Sequence, residues 1–369
     1  MSAVMSSRHG AWIRYGDPMS AEQIEFAVAN YQVAILQPWE TDTLDRLKAV
    51  RPDMTVLCYK CLSSTRSYEQ GPVFTSGVDH EEAEEAGEHW FAHRLDGSRL
   101  EWNSYPGHWQ MATWDPEYRE RWCDNVADEL EETQWDGVMA DNDIFDDYYG
   151  LRPPIEGNRG MPELRSALDE FIPVVGARLN AMGKMLVPNI AESRREPGRW
   201  ARHAAFGGGF EEVFLAWGPD DYFDPPTALA QAEQVAGPGL TVFRIASDGT
   251  NEHRNFTYGL AAFWVFGGGR GGAFTATAHD DYSVTPFIPQ LNWDLGDPTE
   301  QPRQRGNGWS REFTGGWAVV NLNNRRRRKM SYDVPAGLVD VHGQPAPARV
   351  TLQTHEGVVY RHGSPADDT

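Results

Sequence analysis

Cysteine is scarce in this chain of 369 residues, with three in all, Cys58, Cys61 and Cys123. An odd number argues against a framework of disulfide bonds. Cys58 and Cys61 have the C-x-x-C spacing of redox and metal sites, but they end the run "MTVLCYKC", which is typical of a strand. Because residues three apart on a strand point to opposite faces, we interpret the pair as buried structural residues. We predict no metal and no cofactor.

The chain also has fewer basic than acidic residues, and its apolar runs are short. The formal net charge is −21, which disfavours binding to the phosphate backbone of nucleic acid. No apolar run approaches the roughly 20 residues that cross a bilayer. The segment "MSAVMSSRHGAW" lacks the apolar stretch of a secretion signal. We therefore expect a cytoplasmic protein without nucleic-acid or membrane partners, and the oligomeric state stays open.

Short apolar runs alternate with amphipathic segments through the first 290 residues. The pattern predicts eight strands, at 11–16, 32–39, 53–60, 136–143, 184–191, 208–217, 240–249 and 271–281. Each strand but the last precedes a helix or a long insertion, which fits a (β/α)8 TIM barrel. A doubly wound open sheet is the alternative, but no glycine-rich phosphate fingerprint follows the first strand.

Two segments depart from this alternation. Residues 62–114 form an insertion rich in tryptophan and histidine, which we expect to fold over the barrel mouth and to supply stacking aromatics. The candidates are Trp90, Trp102, Trp109 and Trp114, at least half of which we expect to be simply buried. The last part, 291–369, contains short β runs without a helical period. We predict a barrel over 1–290 and a C-terminal β segment packed on it. The helix at 162–183 is expected to break near Pro173.

The functional site of such a barrel lies at the carboxyl ends of its strands. Acids, amides and aromatic residues follow the predicted strands there. We expect the following residues to bind substrate: Arg14, Tyr15, Gln37, Trp39, Tyr59, Lys60, Asp143, Asn189, Trp217, Asp248 and Asp280. Glycoside hydrolysis needs this chemistry, because two carboxylates must flank an oxocarbenium-like transition state.

The segment "QWDGVMADND" supplies the first predicted catalytic carboxylate. Asp141 ends an apolar run and shares strand parity with Gly137 and Met139. Burying an ionised carboxylate is costly unless it is paired or has a function, so Asp141 is the predicted nucleophile or base. Asp143 lies on the same side if the strand continues, and it could instead cap or pair with an arginine.

The second predicted carboxylate lies in "GGGFEEVF". Glu211 and Glu212 are adjacent, so only one of them can face the barrel interior. We predict Glu212 as the general acid, with a structural ion pair as its other interpretation. Asp248, Asp280 and Asp281 remain rivals for either role.

The segments "WDGVMADN" and "GGFEEVF" and the tail "REFTGGWAVVNLNN" to "VTLQTHEGVVY" resemble a group of glycoside-hydrolase-like TIM-barrel proteins. The resemblance covers most of the chain, in order. It implies that an acid after strand four and an acid after strand six form the catalytic pair, which corresponds to Asp141 and Glu212. It also implies a carbohydrate substrate and a β element attached to the barrel. The insertion at 62–114 departs from the group, so the resemblance does not identify which sugar the protein recognises.

Two other functions fit the same barrel. A non-catalytic carbohydrate-binding protein would keep the aromatic residues and lose the strand-end acids, which are present. A metal-dependent hydrolase would need clustered histidines, whereas the eleven histidines are scattered. We therefore predict a glycoside hydrolase. An assay of bond cleavage would distinguish this hydrolase from the carbohydrate-binding protein. Loss of activity on adding a chelator would indicate the metal-dependent hydrolase.

Overall fold

The computed structural model describes residues 8–69, 71–269, 271–278, 281–324 and 328–363. Eight strands form one sheet whose spatial order follows the chain. They are Ala11–Arg14, Val33–Leu36, Thr55–Cys61, Gly137–Asp143, Met185–Ile190, Gly208–Glu211, Leu240–Ala246 and Gly272–Thr277. The fold class is a (β/α)8 TIM barrel with a small C-terminal β module, which confirms the predicted class.

Helices lie between successive strands, with two of them, His80–Ala86 and Pro116–Glu131, between the third and the fourth strand. They are Ala21–Asn30, Thr41–Val50, His80–Ala86, Pro116–Glu131, Met161–Ala181, Arg199–His203, Pro225–Ala232 and Arg254–Gly267. Ser20 begins the first helix, because its hydroxyl accepts from the Gln23 amide at 3.2 Å while the Gln23 side chain accepts from the Ser20 amide at 2.9 Å. The expected break near Pro173 is wrong, since the helix Met161–Ala181 runs through this residue.

The chain divides into two compact units, which we describe one at a time. One consists of Ile35–Phe210, and the other of Met1–Ala34 together with Glu211–Thr369. The third, fourth and fifth barrel strands belong to the unit 35–210. The first, seventh and eighth strands belong to the other unit.

The fourth barrel strand is central to the unit 35–210. It pairs in parallel with the third strand on one side and with the fifth on the other. Gly137 begins this strand, and a Cβ atom there would lie 2.1 Å from the main-chain oxygen of Met185. Only glycine therefore permits the close approach of the fifth strand. In the insertion, two short strands, Ser64–Arg66 and His108–Gln110, form an antiparallel pair.

The first and the eighth strands meet within the other unit. The amide of Phe274, in the eighth strand, donates to the main-chain oxygen of His9 at 2.6 Å, and Gly10 forms a parallel bridge with Phe274. The residues next to the first strand therefore pair with the eighth strand. This contact makes the parallel sheet a barrel instead of an open doubly wound sheet.

The C-terminal β module is antiparallel. Its five-stranded sheet contains Arg303–Arg305, Gly308–Phe313, Gly316–Asn321, Glu356–His362 and Leu338–Val339, in that order. A two-stranded sheet of Met330–Asp333 and Arg349–Leu352 lies beside it. Trp317, Val319, Tyr332, Leu338 and Leu352 form a buried cluster within the module.

The module packs on the last barrel helix, Arg254–Gly267. Arg311 donates from Nη1 to the main-chain oxygen of Val265 at 3.1 Å, and the rings of Trp264 and Phe313 are 5.3 Å apart. The domain boundary at residue 290 stays a prediction. In the described part of the chain, the helices are too short or too polar to cross a membrane.

Candidate active site

The sequence pattern selects Asp141 as a strand-end carboxylate, and the structure gives this carboxylate four hydrogen bonds within the unit 35–210. Its Oδ2 accepts from the phenol of Tyr59 at 2.6 Å, and its Oδ1 accepts from Nδ2 of Asn189 at 2.9 Å. Asn142 adds its backbone amide to Oδ1 at 2.9 Å and its Nδ2 to Oδ2 at 3.1 Å. These donors come from the third, fourth and fifth barrel strands. They stabilise the negative charge and hold the half-buried carboxylate in one orientation.

Arg66 extends this arrangement from the insertion. Its Nη2 donates to the phenol oxygen of Tyr59 at 3.0 Å, and its guanidinium lies 5.5 Å from the centre of the Tyr59 ring. Its Nη1 pairs with Oε1 of Glu69 at 3.0 Å. Sequence reasoning missed Arg66, because nothing in the irregular segment marks this residue. Ser63 donates to the main-chain oxygen of Asn142 at 2.7 Å, so the insertion begins at the same strand end as Asp141.

Asn142 changes the direction of the chain at the end of the fourth strand. Its φ is +67°, in the left-handed region, and the register with the fifth strand shifts between Ala140 and Asp143. Asparagine tolerates this conformation better than most residues. The side chains of Asp141 and Asp143 consequently have different surroundings, although strict alternation would place them on one side.

Asp143 was expected to bind substrate, and its position argues against that role. It is fully buried, pairs with Arg199 and accepts a hydrogen bond from Nδ1 of His203 at 2.5 Å. The other ring nitrogen of His203 contacts Asp169 at 2.6 Å, and Arg199 also reaches Asp169 at 3.2 Å. Asp143 therefore has the pairing with arginine that the sequence left open. Its burial argues against direct contact with a substrate.

Lys60 was also expected to bind substrate, and its position argues against that role. It is fully buried, with Nζ 2.5 Å from Oε2 of Glu129 and 2.6 Å from the main-chain oxygen of Phe74. Strand alternation explains the difference, because Tyr59 points to Asp141 and the next residue points to the opposite face. Cys58, which shares the face of Lys60, and Cys61 are both buried free thiols, as the sequence suggests.

Glu212 lies in the other unit, just after the sixth barrel strand. The phenol of Tyr282 donates to its Oε1 at 2.5 Å. Its main-chain oxygen accepts from Nη1 of Arg244 at 3.0 Å. Arg244 is fully buried and also donates to Oγ1 of Thr277 at 2.8 Å. The neighbouring Glu211 is almost fully buried, whereas Glu212 is half-buried.

Two predicted binding residues surround Tyr282 in this unit. Arg14 donates from Nη1 to the main-chain oxygen of Tyr282 at 3.3 Å and from Nη2 to that of Asp17 at 3.1 Å. The ring of Tyr15 lies 5.0 Å from that of Tyr282. Arg14 is therefore occupied by main-chain oxygens, and its buried guanidinium supports the local structure.

The other predicted binding residues differ in exposure. Trp39 and Trp217 present exposed rings, and Trp217 lies 5.5 Å from Phe223. Gln37 is buried. Asp248 is exposed and accepts from the Thr250 amide at 2.9 Å and from its hydroxyl at 2.7 Å, a local turn that lowers the pKa of Asp248. Asp280 lies outside the described residues.

The four tryptophans of the insertion differ in burial. Trp90 and Trp102 are buried, and Trp109 and Trp114 are half-buried. The ring of Trp102 stacks on Tyr149 with centroids 3.7 Å apart, and Tyr149 donates to Oδ1 of Asn142. Buried tryptophan thus supports the wall beside Asp141. Within the described residues, acidic, histidine and cysteine side chains form no cluster suited to a metal ion.

The architecture and the strand-end carboxylates define a TIM barrel of the glycoside-hydrolase type. The profile of hypothetical glycosyl hydrolase family 15 matches residues 48–317, more than half of the chain, and the protein belongs to this family. A search of curated proteins gave no significant match. The family and the fold support glycoside hydrolase activity in general.

Solved structures share the fold at low sequence identity. Isomaltulose synthase from Klebsiella sp. LX3 is 10% identical with a TM-score of 0.56, covering 96% of this chain and 98% of that chain. The maltogenic α-amylase AmyB from Thermotoga neapolitana is 9% identical with a TM-score of 0.55, covering 96% and 99%. Aspergillus fumigatus Ega3, solved with galactosamine, is 12% identical with a TM-score of 0.50, covering 77% and 96%. At these identities the likeness concerns the fold alone.

Proposed function

We propose that this protein hydrolyses the glycosidic bond of an oligosaccharide or a glycoside. The observation that carries the proposal is the anchored carboxylate of Asp141, which accepts hydrogen bonds from Tyr59, Asn189 and Asn142 at the end of the fourth barrel strand. In TIM-barrel enzymes this strand end is where catalytic groups lie. An ionised carboxylate held in one orientation suits a nucleophile or a base.

Glu212 is the proposed general acid. Its position after the sixth barrel strand supports this role, and the hydrogen bond from Tyr282 to its Oε1 fixes the orientation of the carboxyl group. As general acid, its carboxyl group would transfer a proton to the leaving oxygen as the bond from that oxygen to the anomeric carbon breaks. Asp141 then either bonds to the anomeric carbon, and water later displaces it, or removes a proton from the attacking water.

The exposed rings of Trp39 and Trp217 are the proposed stacking surfaces for sugar, because a ring held by the fold loses little freedom when a ligand packs on it. Asn189 is proposed to orient Asp141 in addition to contacting substrate. The galactosamine complex of Ega3 and the maltogenic α-amylase among the structural neighbours suggest the first probes. These are aryl glycosides and oligosaccharides of glucose and of galactosamine.

The test compares Asp141→Asn and Glu212→Gln with the wild type on an activated aryl glycoside and on the matching oligosaccharide. Asp141→Asn keeps the shape of the side chain and removes the charge, so we expect cleavage of both substrates to fall by roughly three orders of magnitude or more. Glu212→Gln should slow the oligosaccharide far more than the aryl glycoside, because an activated leaving group needs no proton.

Near-normal turnover by Asp141→Asn on both substrates would remove Asp141 from the mechanism. Binding of oligosaccharide without cleavage by the wild type would favour the non-catalytic alternative. The anomeric configuration of the first product, read by NMR, then distinguishes retention from inversion.

A further inference from the structure

Three tyrosines of the unit 35–210 expose large parts of their rings although the fold holds them in place. Tyr68, Tyr105 and Tyr148 are 57%, 39% and 40% exposed. We name them the tyrosine strip. The first two belong to the insertion, and Tyr148 follows the fourth barrel strand. Exposed aromatic rings that gather on one surface mark sites of recognition more often than rings that are scattered singly.

The buried ring of Trp102 and the half-buried ring of Tyr149 hold Tyr105 and Tyr148 in place. The centre of the Tyr105 ring lies 6.2 Å from that of Trp102 and 5.9 Å from that of Tyr149. The centre of the Tyr148 ring lies 6.3 Å from that of Tyr149. Since Trp102 and Tyr149 are stacked on each other, both exposed rings rest on one rigid aromatic pair.

His108 connects Tyr68 to the same cluster. The phenol oxygen of Tyr68 lies 2.7 Å from Nε2 of His108, and the His108 ring lies 5.4 Å from that of Tyr105. Burial and the nearby Arg66 lower the pKa of His108 to about 4, so the imidazole is neutral near pH 7. One hydrogen bond joins it to the phenol of Tyr68. Gly107 leaves room for the ring, because a Cβ there would lie 2.8 Å from Cδ1 of Tyr68.

Residues next to the strip are joined to Asp141 by two series of hydrogen bonds. Tyr149, which supports two of the strip residues, donates to Asn142, and Asn142 donates to Asp141. At the other end, Arg66 lies two residues before Tyr68 and bonds to Tyr59, which donates to Asp141. The strip is therefore continuous with the surroundings of the proposed catalytic carboxylate.

We propose that the tyrosine strip binds sugar units of an oligosaccharide beyond the unit that reacts. This inference rests on the proposed function. The rings offer apolar faces, which suit the C–H faces of a pyranose, and phenol groups, which suit its hydroxyls. The net charge of −21 disfavours acidic polysaccharides, so the ligand class is a neutral or amino-sugar oligosaccharide.

The experiment measures binding and cleavage separately in the full-length protein. Calorimetric titration with maltohexaose and with a galactosamine hexamer gives the affinity of the wild type. The double variant Tyr105→Ser/Tyr148→Ser should bind the better ligand about tenfold more weakly for each ring removed. Tyr105→Phe/Tyr148→Phe keeps the rings and should retain most of the affinity. Phe26→Ser, at an exposed ring of the other unit, is the control for surface substitution.

Cleavage supplies the second readout. The serine variant should keep the wild-type rate on an aryl monoglycoside, which does not reach the strip, and lose kcat/KM on the hexamer. Unchanged affinity in the serine variant, or failure of the wild type to bind either hexamer, would overturn the strip as a sugar-binding surface. Binding that depends on the tyrosines without any cleavage would support the strip while contradicting the proposed hydrolysis. Thermal melting checks that each variant is folded.

Discussion

The phenol of Tyr59 donates a 2.6 Å hydrogen bond to Oδ2 of Asp141, although the two residues are 82 positions apart in the chain. The same phenol oxygen accepts from Arg66. Arg66 thereby strengthens the donor that faces Asp141, because a cation beside a phenol makes the phenol a better hydrogen-bond donor. A residue predicted to bind substrate thus contacts the predicted nucleophile or base itself.

Tyr59→Phe should lower kcat with little change in KM. A hydrogen bond to a charged group contributes about 1.5–3 kcal/mol, which corresponds to roughly tenfold to a hundredfold in rate. The acidic limb of the pH–rate profile should move to higher pH, because the ionised form of Asp141 loses a stabilising donor. Steady-state kinetics across pH measure both effects.

Tyr118→Phe is the matched control for this change. Tyr118 is fully buried and donates its hydroxyl to the main-chain oxygen of Leu62 at 3.2 Å, and not to the carboxylate of Asp141. It should lower stability and leave the acidic limb in place. Equal displacement of the limb in both variants would contradict the role given to Tyr59.

Replacing Asn142 by glycine should lower the free energy of unfolding less than replacing it by alanine. At a φ of +67°, an alanine is strained, and the difference in the free energy of unfolding should be about 1 kcal/mol. Both variants lose the Nδ2 donor to Asp141, so both should lose activity. Chemical denaturation and kinetics provide the two measurements.

Asn158 offers a comparison for this backbone effect, since it is exposed and has a φ of +57°. Its glycine and alanine variants should show the same order of stability with unchanged activity. If the alanine variant at position 142 were the more stable of its pair, the strain argument would be wrong.

Asp143→Ala should destabilise the fold strongly. It leaves Arg199 and His203 in a buried site with less counter-charge, and removing one partner of such a pair costs about 3–5 kcal/mol. Asp124→Ala breaks the exposed pair with Arg178, whose atoms are 2.8 Å apart, and should cost at most about 1 kcal/mol. Urea unfolding measures the free energy of unfolding of both variants. Similar losses in the two would contradict the stabilising role given to the buried pairing of Asp143.

His9 should make the protein less stable in acid. Burial lowers its pKa from 6.5 to about 4, an effect that Asp294 partly offsets. Between these values the unfolded chain binds more protons than the folded one, so stability is complete above about pH 6.5 and falls as the pH drops towards 4. The full difference amounts to about 3 kcal/mol.

His9→Met removes the titrating group and keeps an apolar side chain beside Trp264, whose ring lies 4.7 Å from that of His9. The free energy of unfolding of this variant should change less between pH 4 and 6.5 than that of the wild type. A parallel pH dependence in the two proteins would show that other groups are responsible.

Local pattern was enough to predict the barrel. The alternation of apolar runs and helical periods reflects backbone geometry, which acts over a few residues. Ser20 and Gln23 show the capping spacing in sequence and form it in the structure. The position of Asp141 at a strand end follows from the same alternation, and so does the separation of Cys58 from Cys61 onto opposite faces.

The partners of the site residues depended on tertiary structure. Asp143 meets Arg199 from 56 positions away, and Glu212 meets Tyr282 from 70 positions away. The left-handed backbone at Asn142, which separates Asp141 from Asp143, breaks the alternation on which the sequence argument relied. The sequence by itself determined which strands end in carboxylates, because strand periodicity is local. Only the folded chain decided which of those carboxylates are buried in ion pairs and which are held by neutral donors, because those partners come together through packing.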